Sequence, residues 1–510
     1  MIKSLPEQPD LEQLKKQAKE LLAKVRLGKP AALERIGKQN PSAFALHDAQ
    51  LVLARELGFP SWAKLKLHID TRDETAAEPA LFKAALEGKR RKVAELLTTY
   101  PALATKSIHI ASALGDPGPV KAWLEKDRSL ATASGGPESL GPLLYACFSQ
   151  AGAGDASRAE VARILLAHGA DPNSWRGDPA WPNAKETVLY GATGVNDYPL
   201  LARVLLTAGA DPNDGESRYH APEKNHVASL EVLAEFGTDF GRLDGTWGNT
   251  PLYFLLGHYP GQEAVREGIQ WILEHGANPN VVAYPKRQRE VPLHLAVRND
   301  WGISMISLLL AHGADPKIRN ADGRTAYALA VRYGHADVAG LLAEKGGVQE
   351  LSPADELIGA CMLADETKAR SLLALHPGII ASLTTADRLA VHQAAREGRA
   401  SSLRLMGKLG FDLGVKGNIG ETALHFAGYS GRAEAIRALI EQGADVNARE
   451  TQYKATALGW VGHGSRFNKA KGGDYAAAAR ALLAAGAVLA DDEVASAEVM
   501  EVFKTYRKSR

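Results

Sequence analysis

The sequence predicts an all-α repeat solenoid, built of helix-turn-helix units with β-hairpin or loop connections and opened by a helical cap. Three observations predict it. The phrase "RILLAHGADPN" at 163–173 returns as "RVLLTAGADPN" at 203–213, and in shorter form as "WILEHGANPN" from Trp271, "LLLAHGADPK" from Leu308 and "ALIEQGADVN" from Ala438. The glycine of each phrase sets a ruler: Gly313 to Gly346 and Gly410 to Gly443 are equal steps, each of ~33 residues. Within each interval the apolar residues recur at helical spacing.

The first seventy residues do not follow this period. "PDLEQLKKQAKELLAKVRLGK" reads as one amphipathic helix, with Asp10 as its cap, Leu11, Leu14, Ala18, Leu21, Leu22 and Val25 on the apolar face, and Gly28 as its stop. Lys15, Lys16, Lys19, Lys24, Arg26 and Lys29 crowd the remainder. "ALHDAQLVLARELGFPSWAKLKLHID" supplies two more helices hinged at "GFPS", with Ser61 as a cap and Trp62 as a core anchor. "TRDETAAEP" at 71–79 reads as a linker, so residues 1–73 form a helical segment. Its plain role is to cover the open end of the array; its basic residues also allow a small docking or nucleic-acid-binding module.

The clearest repeats are "NADGRTAYALAVRYGHADVAGLLAEKGG" at 320–347 and "GNIGETALHFAGYSGRAEAIRALIEQGADVNARE" at 417–450. In the second, Thr422 caps a first helix, and Ala423, Leu424 and Ala427 give that helix a small apolar face. Gly431 breaks the chain, Ile436, Leu439 and Ile440 make the second stripe, and Gly443 suits the left-handed turn that ends it. Both segments closely resemble the ankyrin repeat. Weaker copies begin at Ala80, Ser107 and Asp355, giving about twelve units over 78–490. The interval from Gly346 to Gly410 is close to two periods, so the array reads as continuous, and 491–510 forms a C-terminal helical cap or tail. The "HDAQLVLARELGFPSWAKLK" string is similar to a helical segment that precedes ankyrin arrays in many bacterial proteins. That likeness carries no activity with it.

Departures from the period show where chain was added or removed. Gly169 to Gly209 overruns it, the excess lying in a long hairpin at 174–186; Gly209 to Gly237 falls short, its hairpin reduced to "DGES". Gly276 to Gly313 overruns it again, with a basic hairpin "VVAYPKRQRE" at 281–290. Other additions fall between the two helices of a unit, at Ser149, at His258 and at 463–474.

Composition excludes several function classes. Sixty Lys plus Arg against 59 Asp plus Glu leave a formal charge of +1, so no overall field draws in nucleic acid or an anionic membrane. No apolar run approaches the ~18 residues of a membrane span, and the start lacks a secretory h-region, so the cytoplasm is the expected compartment. Both cysteines, Cys147 and Cys361, sit in apolar company and read as buried packing residues. Closely spaced glycines in "AGAGDAS" lack the "GKS" or "GKT" of a phosphate loop; no "HExxH", "GxSxG" or paired "CxxC" occurs, and Asp491 and Asp492 read as capping charge. No cofactor and no metal is expected. His168, His275 and His312 stand at second-helix ends, where a cation suits the helix dipole.

The ankyrin resemblance implies a non-catalytic scaffold that holds an unidentified partner protein on a concave face of hairpin tips and first helices, as a monomer, without nucleic acid or membrane. It also implies that His294 and His425, fourth in "VPLH" and "TALH", bond the turn backbone and tie adjacent units. Partner contacts should fall on residues that the repeat does not require: Trp175, Arg176 and Trp181 on the long hairpin, Tyr219 beside the stunted one, and Tyr284, Lys286, Arg287 and Arg289 on the basic one. Both tryptophans can instead fold back to steady the long loop. The competing classes are an enzyme or enzyme regulator using the insertions, and nucleic-acid binding through the basic first helix and the "RKSR" end.

Overall fold

The computed structural model describes residues 10–37, 40–41, 44–70, 74–178, 181–245, 247–259, 262–284, 289–468, 470, 472–490 and 493–509. The chain divides into two compact units, Met1–Leu255 with Gln262–Ala277, and Leu256–Gly261 with Asn278–Arg510.

The first unit begins with helices Leu11–Arg26, Pro30–Ile36, Leu46–Glu56 and Trp62–Asp70. Asp10 caps the first by accepting from the Glu12 amide at 2.8 Å, because the opening N–H groups of a helix have no partner inside it. Ala18, Leu21 and Val25 pack on Ile36, Phe44, Val52 and Leu53; Leu14, Ala54, Leu65 and Ile69 form a second cluster, and Trp62 lies against both. Of the basic residues, Lys16, Lys19, Lys24 and Arg26 on the first helix and Lys29 just beyond it are exposed. One expectation is corrected: from Glu74 onward the supposed linker is helix, Glu74–Leu86. Its "ETAA" run favours helix, and Pro79 removes only one rung of the hydrogen-bond ladder.

Helix pairs then follow one another. In the first unit they include Ile108–Leu114 with Pro117–Lys126, Pro142–Phe148 with Asp155–Ala167, and Ser217–Glu223 with Val227–Glu235. The second unit continues the pattern from Pro292–Arg298 with Gly302–Ala311 to Ala457–Phe467 with Tyr475–Ala484, and Ala497–Ser509 lies against the last of these. First helices pack on first helices because small residues face each other. A side chain at Gly428 would stand 2.6 Å from the Ala457 carbonyl, closer than any Cβ tolerates.

The recurring phrase has a physical purpose at each letter. Gly443 takes φ 84° at the exit of its helix, a left-handed conformation that a Cβ disfavours, and lets the Ala444 amide reach back to the Leu439 carbonyl at 3.0 Å. The Asp of "GAD" closes the next turn: Asp171 and Asp445 accept from the amides of Asn173 and Asn447, each at 2.9 Å. The Asn then joins repeats through both ends of its amide. Asn280 donates to the Gly313 carbonyl at 2.8 Å and accepts from the Asp315 amide at 2.7 Å; Asn173 and Asn447 make the same clip to Gly209 with Asp211, and to Gly486 with Val488.

His294 and His425 act as the resemblance implies. Nδ1 of His294 accepts from the Val291 amide at 3.2 Å, and Nε2–H donates to Ile318 of the following hairpin at 3.0 Å. Burial pushes its pKa down to about 4, so the ring is neutral and this tautomer is the only one that serves both bonds. In His425 the ring takes the Thr422 amide at 3.1 Å and lies 3.0 Å from the Thr422 hydroxyl. Thr422 stands at the N-cap as expected and forms a capping box with His425.

Two of the additions take defined forms. The segment at 149–157 wraps the Arg158 side chain, which is fully buried. The residues 463–467, expected in a loop, are helix: Ala457–Phe467 runs a turn beyond its neighbour Ala423–Tyr429. Gly464 permits this by lying directly against the Tyr429 carbonyl.

Candidate protein-binding face

The long hairpin exists as strands β1 (Trp175–Asp178) and β2 (Trp181–Thr187), antiparallel, with Arg176 opposite Glu186. Arg176 pins it down. Its Nε donates to Glu186 at 2.7 Å, a terminal nitrogen stands 3.5 Å from Glu138, and its guanidinium lies 3.9 Å from the Phe148 ring centroid. A guanidinium engaged on three sides steadies a loop and has little left for a partner. Trp175 is placed otherwise: it is 50 % exposed, with the Lys185 ammonium 5.0 Å from its ring. The side chain of Trp181 lies outside the described residues.

Tyr219 is a correction. It was expected on the surface, but it is 3 % exposed, its hydroxyl donates to the Asn249 carbonyl at 2.9 Å, and its ring meets Phe254 edge-on. The reason is that the short helix Ser217–Glu223 is covered nearly all round: Ser217, Arg218, Tyr219, Ala221 and Pro222 are all buried. The basic hairpin closes through a bridge between Ala283 and Glu290, with Tyr284 half-buried at φ 45° and Arg289 exposed at φ 48°. Lys286 and Arg287 lie outside the described residues. Of the expected residues, Trp175 and Arg289 are exposed among the described ones.

What the structure gathers was not singled out in the sequence. Helices Ala390–Glu397, Ala423–Tyr429 and Ala457–Phe467 stack in order, and on the first-helix face of the second unit their side chains form a row of rings. Arg396 lies 4.7 Å from the centroid of Phe426, and Phe426 meets Trp460 edge-on at 5.7 Å. Tyr429 also meets Trp460 edge-on, at 5.9 Å, and stacks on His463 at 6.1 Å; His463 continues to Phe467 at 4.7 Å. Phe426, Tyr429 and Trp460 are half-buried, His463 is exposed, and Phe467 is 61 % exposed. Edge-to-face geometry suits aromatic pairs, but half-open rings in line are more than packing needs. A signal was available: Phe426 and Trp460 stand one repeat apart at the same place in "TALHF" and "TALGW", and so do Tyr429 and His463.

The first unit holds a second, more closed row through Phe148, Tyr190, His220 and Phe254. Its electrostatics centre on His220, whose Nδ1 lies 2.5 Å from Glu223 and whose Nε2 lies 3.4 Å from Glu216. Burial opposes the charged ring, but hydrogen bonds to Glu216 and Glu223 outweigh it and raise the pKa to about 9. Because the raised value belongs to the folded state, this stabilisation is complete below the unfolded histidine's ~6.5 and is lost as pH rises through about 9. We expect the melting temperature of the first unit to fall between pH 6.5 and 9.5, and His220→Gln to remove that slope. A variant with an unchanged slope would show that other groups cause it.

Elsewhere the described residues offer little reactive chemistry. Cys147 and Cys361 are buried free thiols, and burial pushes Cys361 up to about 12. Among the described residues no group of three or more His, Cys, Asp or Glu could hold a metal ion, and no helix is long and apolar enough to cross a membrane.

A family model described as ankyrin repeats (3 copies) matches residues 262–352 and 357–460, and the second match takes in Phe426, Tyr429 and Trp460. With its exit glycines, its histidines tied to the next hairpin and its first helices stacked on one another, the region 262–460 is built of ankyrin repeats.

Proposed function

We propose that this chain is a protein-interaction scaffold without chemistry of its own, and that it docks its partner on the face of Ala390–Glu397, Ala423–Tyr429 and Ala457–Phe467. Ankyrin repeats generally serve protein–protein interaction. The observation that carries the reading is the row of half-open rings from Phe426 to Phe467. Large aromatics flanked by arginine are the usual anchors of interfaces.

The test is the pair Tyr429→Ala and Trp460→Ala, combined in the full chain and assayed against the partner captured by the wild type. We expect an affinity loss of roughly 2 kcal/mol or more, about thirtyfold, as removal of an interface anchor gives. Unchanged affinity with a lowered melting temperature would assign the rings to packing alone. A second reading has its own observation, the exposed Trp175 on the pinned hairpin, and Trp175→Ala in the same assay distinguishes it.

A further inference from the structure

Two cations bracket the row of rings. Arg396, in the last turn of Ala390–Glu397, lies over Phe426; Arg466, near the end of Ala457–Phe467, has its guanidinium 4.7 Å from the Phe467 centroid. Both residues are exposed. Other arginines of this unit are spent on carboxylates of the chain: Arg298 on Glu290, Arg324 and Arg332 on Asp355 and Asp387, Arg399 on Glu397, and Arg404 on Glu441. Among the described residues neither Arg396 nor Arg466 has a carboxylate within ion-pair distance. Glu397, next to Arg396 in sequence, is turned to Gln393 and Arg399, and stands 3.8 Å from His335. Desolvation depresses the Arg396 pKa most, and the Glu397 charge, although not bonded to it, acts on Arg396 more strongly than the repulsion from Arg298.

A basic segment laid along this face would meet an arginine at both ends, and a purely apolar one would leave both guanidinium groups without a bonded carboxylate beneath it. Carboxylates suit the fork of N–H donors that each arginine presents. Successive helices pack roughly 8–10 Å apart, so Arg396 and Arg466, two helices apart, are separated by about 20 Å, the reach of about six extended residues.

Resting on the docking reading above, the geometry points to an acidic, apolar-centred peptide segment as the occupant of this face. It lies extended, with one carboxylate on Arg396, another about six residues away on Arg466, and apolar side chains between them on Tyr429, Trp460 and His463. The interaction is electrostatic at its ends and hydrophobic at its middle, so added salt weakens it in part.

The experiment pans a phage-displayed library of random dodecapeptides against the immobilised full chain, in parallel with the Tyr429→Ala/Trp460→Ala variant. Selected peptides are then titrated against Arg396→Glu/Arg466→Glu, whose changed side chains are exposed and whose unfolding midpoint is measured alongside. The expected result is that peptides retained only by the intact rings carry Asp or Glu on both sides of an apolar centre, and that their Kd rises at least tenfold on charge reversal. Ring-dependent peptides without an acidic excess, bound equally by the reversed variant, would overturn the acidic occupant and leave the docking face standing. Absence of any ring-dependent peptide would overturn both.

Discussion

Replacing Arg158 with leucine is expected to destabilise the first unit by at least about 4 kcal/mol, seen as an early transition in urea unfolding. Arg158 is fully buried with no carboxylate bonded to it among the described residues, yet every direction of its guanidinium is used. Its nitrogens donate to the carbonyls of Ala153 at 3.0 Å, Ala146 at 2.8 Å, Ala113 at 3.2 Å and Ala151 at 2.5 Å. Ala113 and Ala146 lie in the last turns of Ile108–Leu114 and Pro142–Phe148, where carbonyls lack partners inside the helix and the helix dipole is negative. One side chain thus caps two helices and gathers the segment at 149–157. Leucine would leave four carbonyls buried without this donor, each costing roughly 1–3 kcal/mol. Lysine keeps the charge but presents its donors from a single nitrogen, so Arg158→Lys should recover less than half of the loss. A loss under about 1 kcal/mol for Arg158→Leu would show that water replaces the guanidinium and that the capping account is wrong.

The second large effect is expected in the other unit, from Asp355→Ala. Asp355 Oδ1 accepts from Arg324 at 2.8 Å and from Arg332 at 2.9 Å, while Asp387 takes the same two arginines at 3.0 Å each. The four side chains are 14 % exposed or less. They link Ala326–Arg332, Pro353–Met362 and Thr385–Arg388, so a local deletion is felt by three helices. Removing one partner of a buried pair leaves an uncompensated charge and costs about 3–5 kcal/mol. Denaturant unfolding of Asp355→Ala at pH 7 reads this directly. The pH dependence follows from Asp387. Burial works against its carboxylate, but the Thr384 hydroxyl and the Arg332 charge outweigh it and hold the pKa below its ordinary value. That stabilisation is present above ~3.9 and is lost as pH falls through the lower folded value. Equal stability of Asp355→Ala and wild type would mean that the arginines find solvent instead.

The sequence by itself determined the period and the exit glycines, and its resemblance to the ankyrin repeat implied the role of His294 and His425. These are local matters: a left-handed turn needs glycine, a turn amide needs an acceptor three residues on, and both requirements recur wherever the unit recurs. Only the tertiary structure decided what a side chain faces across repeats. Tyr219 is buried because its seven-residue helix is covered nearly all round by neighbouring elements, which no local pattern marks. Arg158 reaches Ala113 in an earlier repeat, and no local pattern marks so distant a partner. Phe426 and Trp460 form a row because stacking brings equivalent positions of successive units side by side; the turn of helix that Gly464 permits against the Tyr429 carbonyl then adds His463 and Phe467 to it. Periodicity fixes which residues are equivalent, whereas packing fixes which of them remain open to a partner.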